Sequence, residues 1–163
     1  MALPMLHRRV CLRGFGAGLL LGLSPGGLAL AAPSRLVVIV GPSSPIDNLS
    51  LGTLRSAFLA QPTDEHKVRL VPFNSPPNSP ERVLFDRRVL GMSPEEAARH
   101  WVDQRIRGNP GPPRVVAGAK LLRQVVARLP GAISYLDPEE LDGTVKAVTI
   151  GGYDYNHKDY PIR

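Results

Sequence analysis

Hydrophobic positions fall in short blocks whose period changes along the chain. Leu36-Val37-Val38-Ile39-Val40 is an unbroken β-branched run, the pattern of a strand buried on both faces, and Gly41-Pro42 ends it. Ser50 then caps a short helix that puts Leu51, Leu54, Ala57 and Phe58 on one side. Val68 to Phe73 predicts a second strand. A helix starting at Ser79 would turn Val83, Leu84, Val89 and Leu90 inward. Ser93-Pro94-Glu95-Glu96 carries a capping serine, a first-turn proline and a glutamate placed for a capping box. Behind it Ala97 and Trp101, and Ala98 and Val102, recur four apart on one face. The stretch 108–113, GNPGPP, stops regular structure. Leu121, Leu122, Val125, Val126 and Leu129 outline a further amphipathic helix closed by Pro130-Gly131. Ala132 to Leu136 reads as a strand, Asp137 as the cap of one helical turn, and Val145 to Ile150 as a final strand. Strands alternating with helices predict an α/β domain.

The first residues have a different character. Met1 to Arg13 is basic, Phe15 to Leu30 is uncharged and rich in Leu, Gly and Ala, and Ala29-Leu30-Ala31 offers small residues for cleavage. That is the layout of a secretory signal peptide over residues 1–31, and the apolar run is short for a membrane span. Arg8-Arg9-Val10-Cys11-Leu12-Arg13 also has the form of a twin-arginine export signal, while an ordinary Sec leader with adjacent arginines has the same letters. The expectation is a protein of the periplasm or the outside, with no stable membrane insertion once the leader is removed. Residues 32–152 would form the domain, and 153–163 a polar, tyrosine-containing tail that either hangs loose or lies along it.

Composition narrows the chemistry. Removing Arg8, Arg9 and Arg13 with the leader lowers the formal charge from +6 to +3. The remainder is dispersed, which argues against nucleic acid as a partner. Cys11 is the single cysteine, so the mature chain would hold no disulfide and no thiolate metal site. His66, His100 and His157 lie far apart without metal-ligand spacing, Ser134 lacks a nucleophile elbow, and Val37 to Val40 is not followed by a phosphate-binding GxxxxGK loop. Neither an enzyme constellation nor a cofactor motif emerges.

Taken in order, these blocks resemble the substrate-binding proteins of phosphate ABC transporters. Residues 36–60, LVVIVGPSSPIDNLSLGTLRSAFLA, are similar to that family's first strand, loop and helix. SPERVLF, 79–85, stands where the family has SGTR and a phenylalanine. Trp101 with Arg107-Gly108 and Pro112-Pro113, LPGAISYL at 129–136, VKAVTIGG at 145–152 and DYPIR at 159–163 resemble later family blocks. The resemblance implies one three-layer α/β lobe of the type 2 periplasmic-binding fold, with a mixed or parallel sheet between helices, and no counterpart for the other lobe. It further implies phosphate or a related oxyanion as ligand, with an ABC permease, or a second lobe or partner protein, completing the system.

In that family the loop matching residues 75–82 wraps the oxyanion. The resemblance therefore makes Ser75, Asn78, Ser79 and Arg82 candidate ligands, with Ser44 after the first strand joining them at the same sheet edge. A helix N-terminus following a strand supplies free N–H donors and a positive dipole end, and arginine adds a two-pronged donor. The departures are Pro77, Asn78 and Pro80 in place of glycines and Glu81 in place of a threonine. Proline lacks a donor, and a carboxylate repels an anion. On the opposing reading Ser79 is only an N-cap, Ser43 and Ser44 are turn residues, and Arg82 pairs with Asp86. Trp101 either covers a pocket or packs in the core. Two functions remain: an oxyanion-binding module, or a cell-envelope interaction module that kept the lobe and lost the ligand.

Overall fold

A computed structural model describes residues 33–163; the expected leader lies outside them. The central sheet has six strands: β1 (Val37–Val40), β2 (Asn48–Leu49), β5 (Val71–Asn74), β6 (Arg114–Val115), β7 (Ala132–Leu136) and β8 (Lys146–Ile150). Their spatial order is β2-β8-β1-β7-β5-β6, and a separate hairpin joins β3 (Asp64–Glu65) to β4 (Val68–Arg69). Helices α1 (Leu51–Phe58), α2 (Pro80–Phe85), α3 (Pro94–Ile106) and α4 (Ala119–Arg128) complete the domain.

The sheet is mixed. β1 runs antiparallel to both β7 and β8, whereas β5 is parallel to β7 and β6. Strand alternation sorts the core into two layers. Val38, Val40, Ile133 and Tyr135 face the layer holding Leu54, Phe58 and Phe85. Val37, Ile39, Ala132 and Leu136 face the layer holding Leu122 and Val126 of α4. The continuous apolar run of β1 thus reflects helices on both sides, as expected. At the centre of the first layer, the Phe85 and Tyr135 rings stack at 3.9 Å between centroids, with Phe58 tilted against Phe85 at 4.5 Å.

Local signals act where the sequence put them. Ser50 accepts a hydrogen bond from the Thr53 N–H, and the Ser93–Glu96 capping box closes in both directions. Asp137 caps a single 3₁₀ turn over Pro138–Glu140. The segment expected as one strand over 68–73 is split, its first part belonging to the hairpin. His66 and Lys67, both at positive φ, make the two-residue turn of that hairpin. Gly131 is demanded by close approach: at φ +75°, a Cβ there would stand 2.1 Å from the Arg69 carbonyl oxygen.

Three expectations about packing change: in α1, Leu54, Ala57 and Phe58 are buried but Leu51, in the first turn, is exposed. The helix after Ser79 buries Arg82, Phe85 and Asp86, while Val83 and Leu84 are only half buried. It then widens into a π-helical turn, Asp86–Leu90, ended by Gly91 in the left-handed region. The wider turn still delivers Val89 and Leu90 to the core. In α3 only Ala97 is buried; Trp101 is half buried, and Val102 and Ile106 are 59% and 78% exposed. The C-terminal segment lies along the domain. Tyr160 and Ile162 are core residues, and the Leu36 N–H donates to the Ile162 carbonyl at 3.0 Å.

Candidate functional site

Parallel β5 and β7 carry their carboxyl ends to the same side of the sheet, the edge at which open α/β folds place ligands. β5 ends in Asn74, which is buried, and its Oδ1 accepts from the Tyr135 hydroxyl at 2.9 Å. The adjacent Ser134 hydroxyl donates to the Phe73 carbonyl at 2.8 Å. These two bonds tie the strand ends together and fix where the following loops begin. Burial pushes the Tyr135 phenol well above its ordinary value, so it stays a donor at neutral pH.

Beyond the strand ends lies a cavity of about 280 Å³. Ser75 and Ser79 line it from the loop after β5, Gly118 and Ala119 from the start of α4, and Tyr135 from β7. Ser79 accepts from the Arg82 N–H at 3.3 Å and so caps α2. No side chain caps α4, whose N-cap is Gly118 at φ 86°. The first-turn N–H groups of α4 are therefore open donors at the positive end of a ten-residue helix. Three carboxylates, Glu81, Asp137 and Glu140, also line this cavity. Asp137 accepts from the Glu139 N–H at 2.9 Å, and Glu140 pairs with Arg123 at 3.2 Å. Among the described residues Glu81 has neither a salt-bridge nor a side-chain hydrogen-bond partner.

Arg82 lies outside that cavity. Its Nε donates to both carboxylate oxygens of Asp86, at 2.8 and 2.7 Å, and the two side chains are only 9% and 5% exposed. Burial raises the Asp86 pKa, and the Arg82 charge beside it pulls the other way without cancelling the rise. The pair forms the floor of a second cavity, of about 170 Å³, on the α3 side. Pro77, Pro94, Pro112 and Pro113 supply much of its wall, with Ala97, Ala98 and Trp101. Asn78, held in the left-handed region at φ 64°, also faces this second cavity. Trp101 thus lines a pocket, packed beside Ala97 rather than enclosed in the core.

The five candidate ligands accordingly fall in three places. Ser75 and Ser79 share the carboxyl-edge cavity, and Asn78 and Arg82 share the second one. Ser44 does not join them. Because β1 is antiparallel to β7, its carboxyl end, Val40, pairs with Ile133 at the opposite end of the sheet. There Ser44 makes a turn, its hydroxyl accepting from the Ile46 N–H at 3.3 Å and its carbonyl from Lys146 Nζ at 2.6 Å. The expectation that Ser44 shares the edge is corrected by the direction of β1. The start of α4 was missing from the candidates. The glycine before an amphipathic run, Gly118-Ala119, was the available signal.

No family model matches the chain. Its structure is similar to that of an ABC-type phosphate transport receptor from Vibrio cholerae, with a TM-score of 0.59 and 17% identity over 74% of this chain and 48% of that one. A phosphate ABC transporter substrate-binding protein candidate from Clostridium perfringens, solved with bound phosphate, gives 0.60 and 18% over 74% and 46%. PstS from Borrelia burgdorferi gives 0.57 and 14% over 78% and 53%. The fold is therefore the α/β fold found in these binding proteins, and the chain spans about half the length of the solved structures it matches.

Proposed function

We propose that the chain is an exported solute-binding module, active in the periplasm or outside the cell. It binds rather than catalyses, and holds phosphate or a related oxyanion for ABC-type uptake. The observation that carries this is the carboxyl-edge cavity, where the uncapped start of α4 meets the hydroxyls of Ser75 and Ser79. Open N–H groups at a helix start are donors suited to an oxyanion. The likeness to phosphate-binding structures supports the same ligand class.

The carboxylates refine the choice of anion. A fully ionised anion such as sulfate meets only repulsion from Glu81. Hydrogen phosphate carries an O–H and can donate it to a carboxylate, turning that contact into a charge-assisted hydrogen bond. The site therefore favours a protonated oxyanion. Arg82 is engaged by Asp86 and is not assigned to it. The cavity is walled by one lobe, so affinity is expected to be modest unless a permease or a second lobe closes over it.

Calorimetric titration at pH 7 tests this. Phosphate is expected to bind, sulfate to bind at least about tenfold more weakly, and Glu81→Gln to narrow the gap. Equal heats for the two anions, or none for either, would overturn the assignment. A second function has its own support: Pro77 and Pro80 remove donors from the loop, and Arg82 does not line the carboxyl-edge cavity. Those features, with Arg82 turned to the other cavity and only its Nε engaged, favour an envelope interaction module that kept the fold and lost the oxyanion. For that function neither anion gives heat, and the protein instead retains a partner in pull-down.

A further inference from the structure

The second cavity is independent of the oxyanion site and has the marks of a binding site in its own right. Its floor is a buried ion pair, an arrangement that costs desolvation and is poorly explained by stability alone. The arginine uses only its Nε toward Asp86; among the described residues neither terminal amino group has a hydrogen-bond acceptor. The Trp101 indole N–H on the wall is buried and also without a partner. A buried donor left unpaired, as the indole N–H is, is uncommon in a settled interior, and the Arg82 amino groups remain available to the cavity. A π-helical turn, a rare feature that recurs at functional sites, begins at Asp86.

We infer that this cavity binds a small, uncharged, ring-sized organic molecule carrying a carbonyl or primary amide. Size comes first: the volume of about 170 Å³ is close to the ~150 Å³ of a cavity that admits benzene. The walls are largely apolar, from Pro77, Pro94, Pro112, Pro113 and Ala97, so the body of the ligand is apolar. The polar groups set the rest. A carbonyl oxygen takes the free terminal N–H donors of Arg82, and an amide N–H₂ finds the remaining lone pairs of Asp86. Charge excludes the carboxylate analogue, because Asp86 already neutralises Arg82 and a second anion would stand uncompensated.

Trp101 is the only tryptophan, so the protein has one indole N–H signal in its NMR spectrum, and that signal reports on this cavity. The probe is benzamide, titrated into ¹⁵N-labelled protein, with toluene and benzoate as comparisons. Benzamide is expected to move the indole signal along a saturable curve, because the Trp101 ring forms part of the cavity wall. Toluene lacks the acceptor and benzoate adds charge, so each should need at least about tenfold more ligand for half-saturation. Ala98→Phe, an exposed position on the cavity wall, should plug the site and abolish the shift while leaving the melting curve in place. Phosphate should leave the indole signal unmoved. An unsaturable benzamide response, toluene binding as well as benzamide, or benzoate binding more tightly would each overturn the assignment. The ligand series needs no variant, so it decides even if Ala98→Phe is unstable.

Discussion

Replacing Arg82 by methionine tests whether this arginine serves the fold or waits for a ligand. Its Nε lies 2.7–2.8 Å from both oxygens of Asp86, and both side chains are almost fully buried. At an effective dielectric near 20, unit charges ~4 Å apart attract by about 4 kcal/mol. Desolvating each ion costs several kcal/mol, so the intact pair adds little net stability. Removing one partner is another matter. Arg82→Met leaves a buried carboxylate alone, and the expected loss is about 3–5 kcal/mol. That is a large share of the ~5–15 kcal/mol of a typical domain. Asp86→Leu should cost at least as much, because a guanidinium cannot shed its proton. The double variant Arg82→Met/Asp86→Leu should return to within about 1 kcal/mol of the parent, or exceed it. Urea unfolding at pH 7 measures all three, provided the denaturant slope is unchanged. A sum of the single losses in the double variant, or single losses below about 1 kcal/mol, would refute a shielded, coupled pair.

The remaining predictions follow from the same geometry. Burial raises the Asp86 pKa above its usual 3.8, so the folded state holds an extra proton between 3.8 and the raised value. The Asp86 contribution therefore falls as pH rises through that window, and the loss in Arg82→Met should shrink on acidification; a loss independent of pH would contradict this. Tyr135→Phe keeps the ring stack but strips the Asn74 amide oxygen of its donor, and should cost about 1–3 kcal/mol in urea unfolding. Ile162→Ala should cost about 2–5 kcal/mol, since this C-terminal residue is fully buried; an unchanged midpoint would mean the tail is loose. Ser93→Ala opens the capping box of α3 and should lower stability by about 0.5–2 kcal/mol, read from thermal or urea melts.

What could be read from the sequence was whatever a short window encodes. The β-branched run of β1, the Ser50 cap, the Ser93–Glu96 box and the Asp137 turn depend on neighbours within a few residues, and each stands where expected. Strand direction is not local. Nothing in Leu36 to Val40 says that β1 opposes β7, and the misplacement of Ser44 follows from that one fact. The β3–β4 turn was missed because His66 and Lys67 take positive φ without the Asn or Gly that announces such turns. The two-residue strands β2 and β6 are too short to show alternation. Helix phase was misjudged after Ser79 because the cap fixes the first turn, and that turn buries Arg82 rather than Val83. The Arg82–Asp86 partnership itself was visible as an i, i+4 spacing, one of two readings the letters allowed.

Amide NMR with phosphate tests the central claim most directly, because it reports position as well as binding. Phosphate at the carboxyl edge should shift the amides of Ser75, Ser79, Glu81, Ala119 and Lys120 along one shared saturation curve. Signals around Ser44, at the other end of the sheet, should stay still. Shifts confined to exposed arginines and lysines, or a silent first turn of α4, would contradict a phosphate site between α2 and α4.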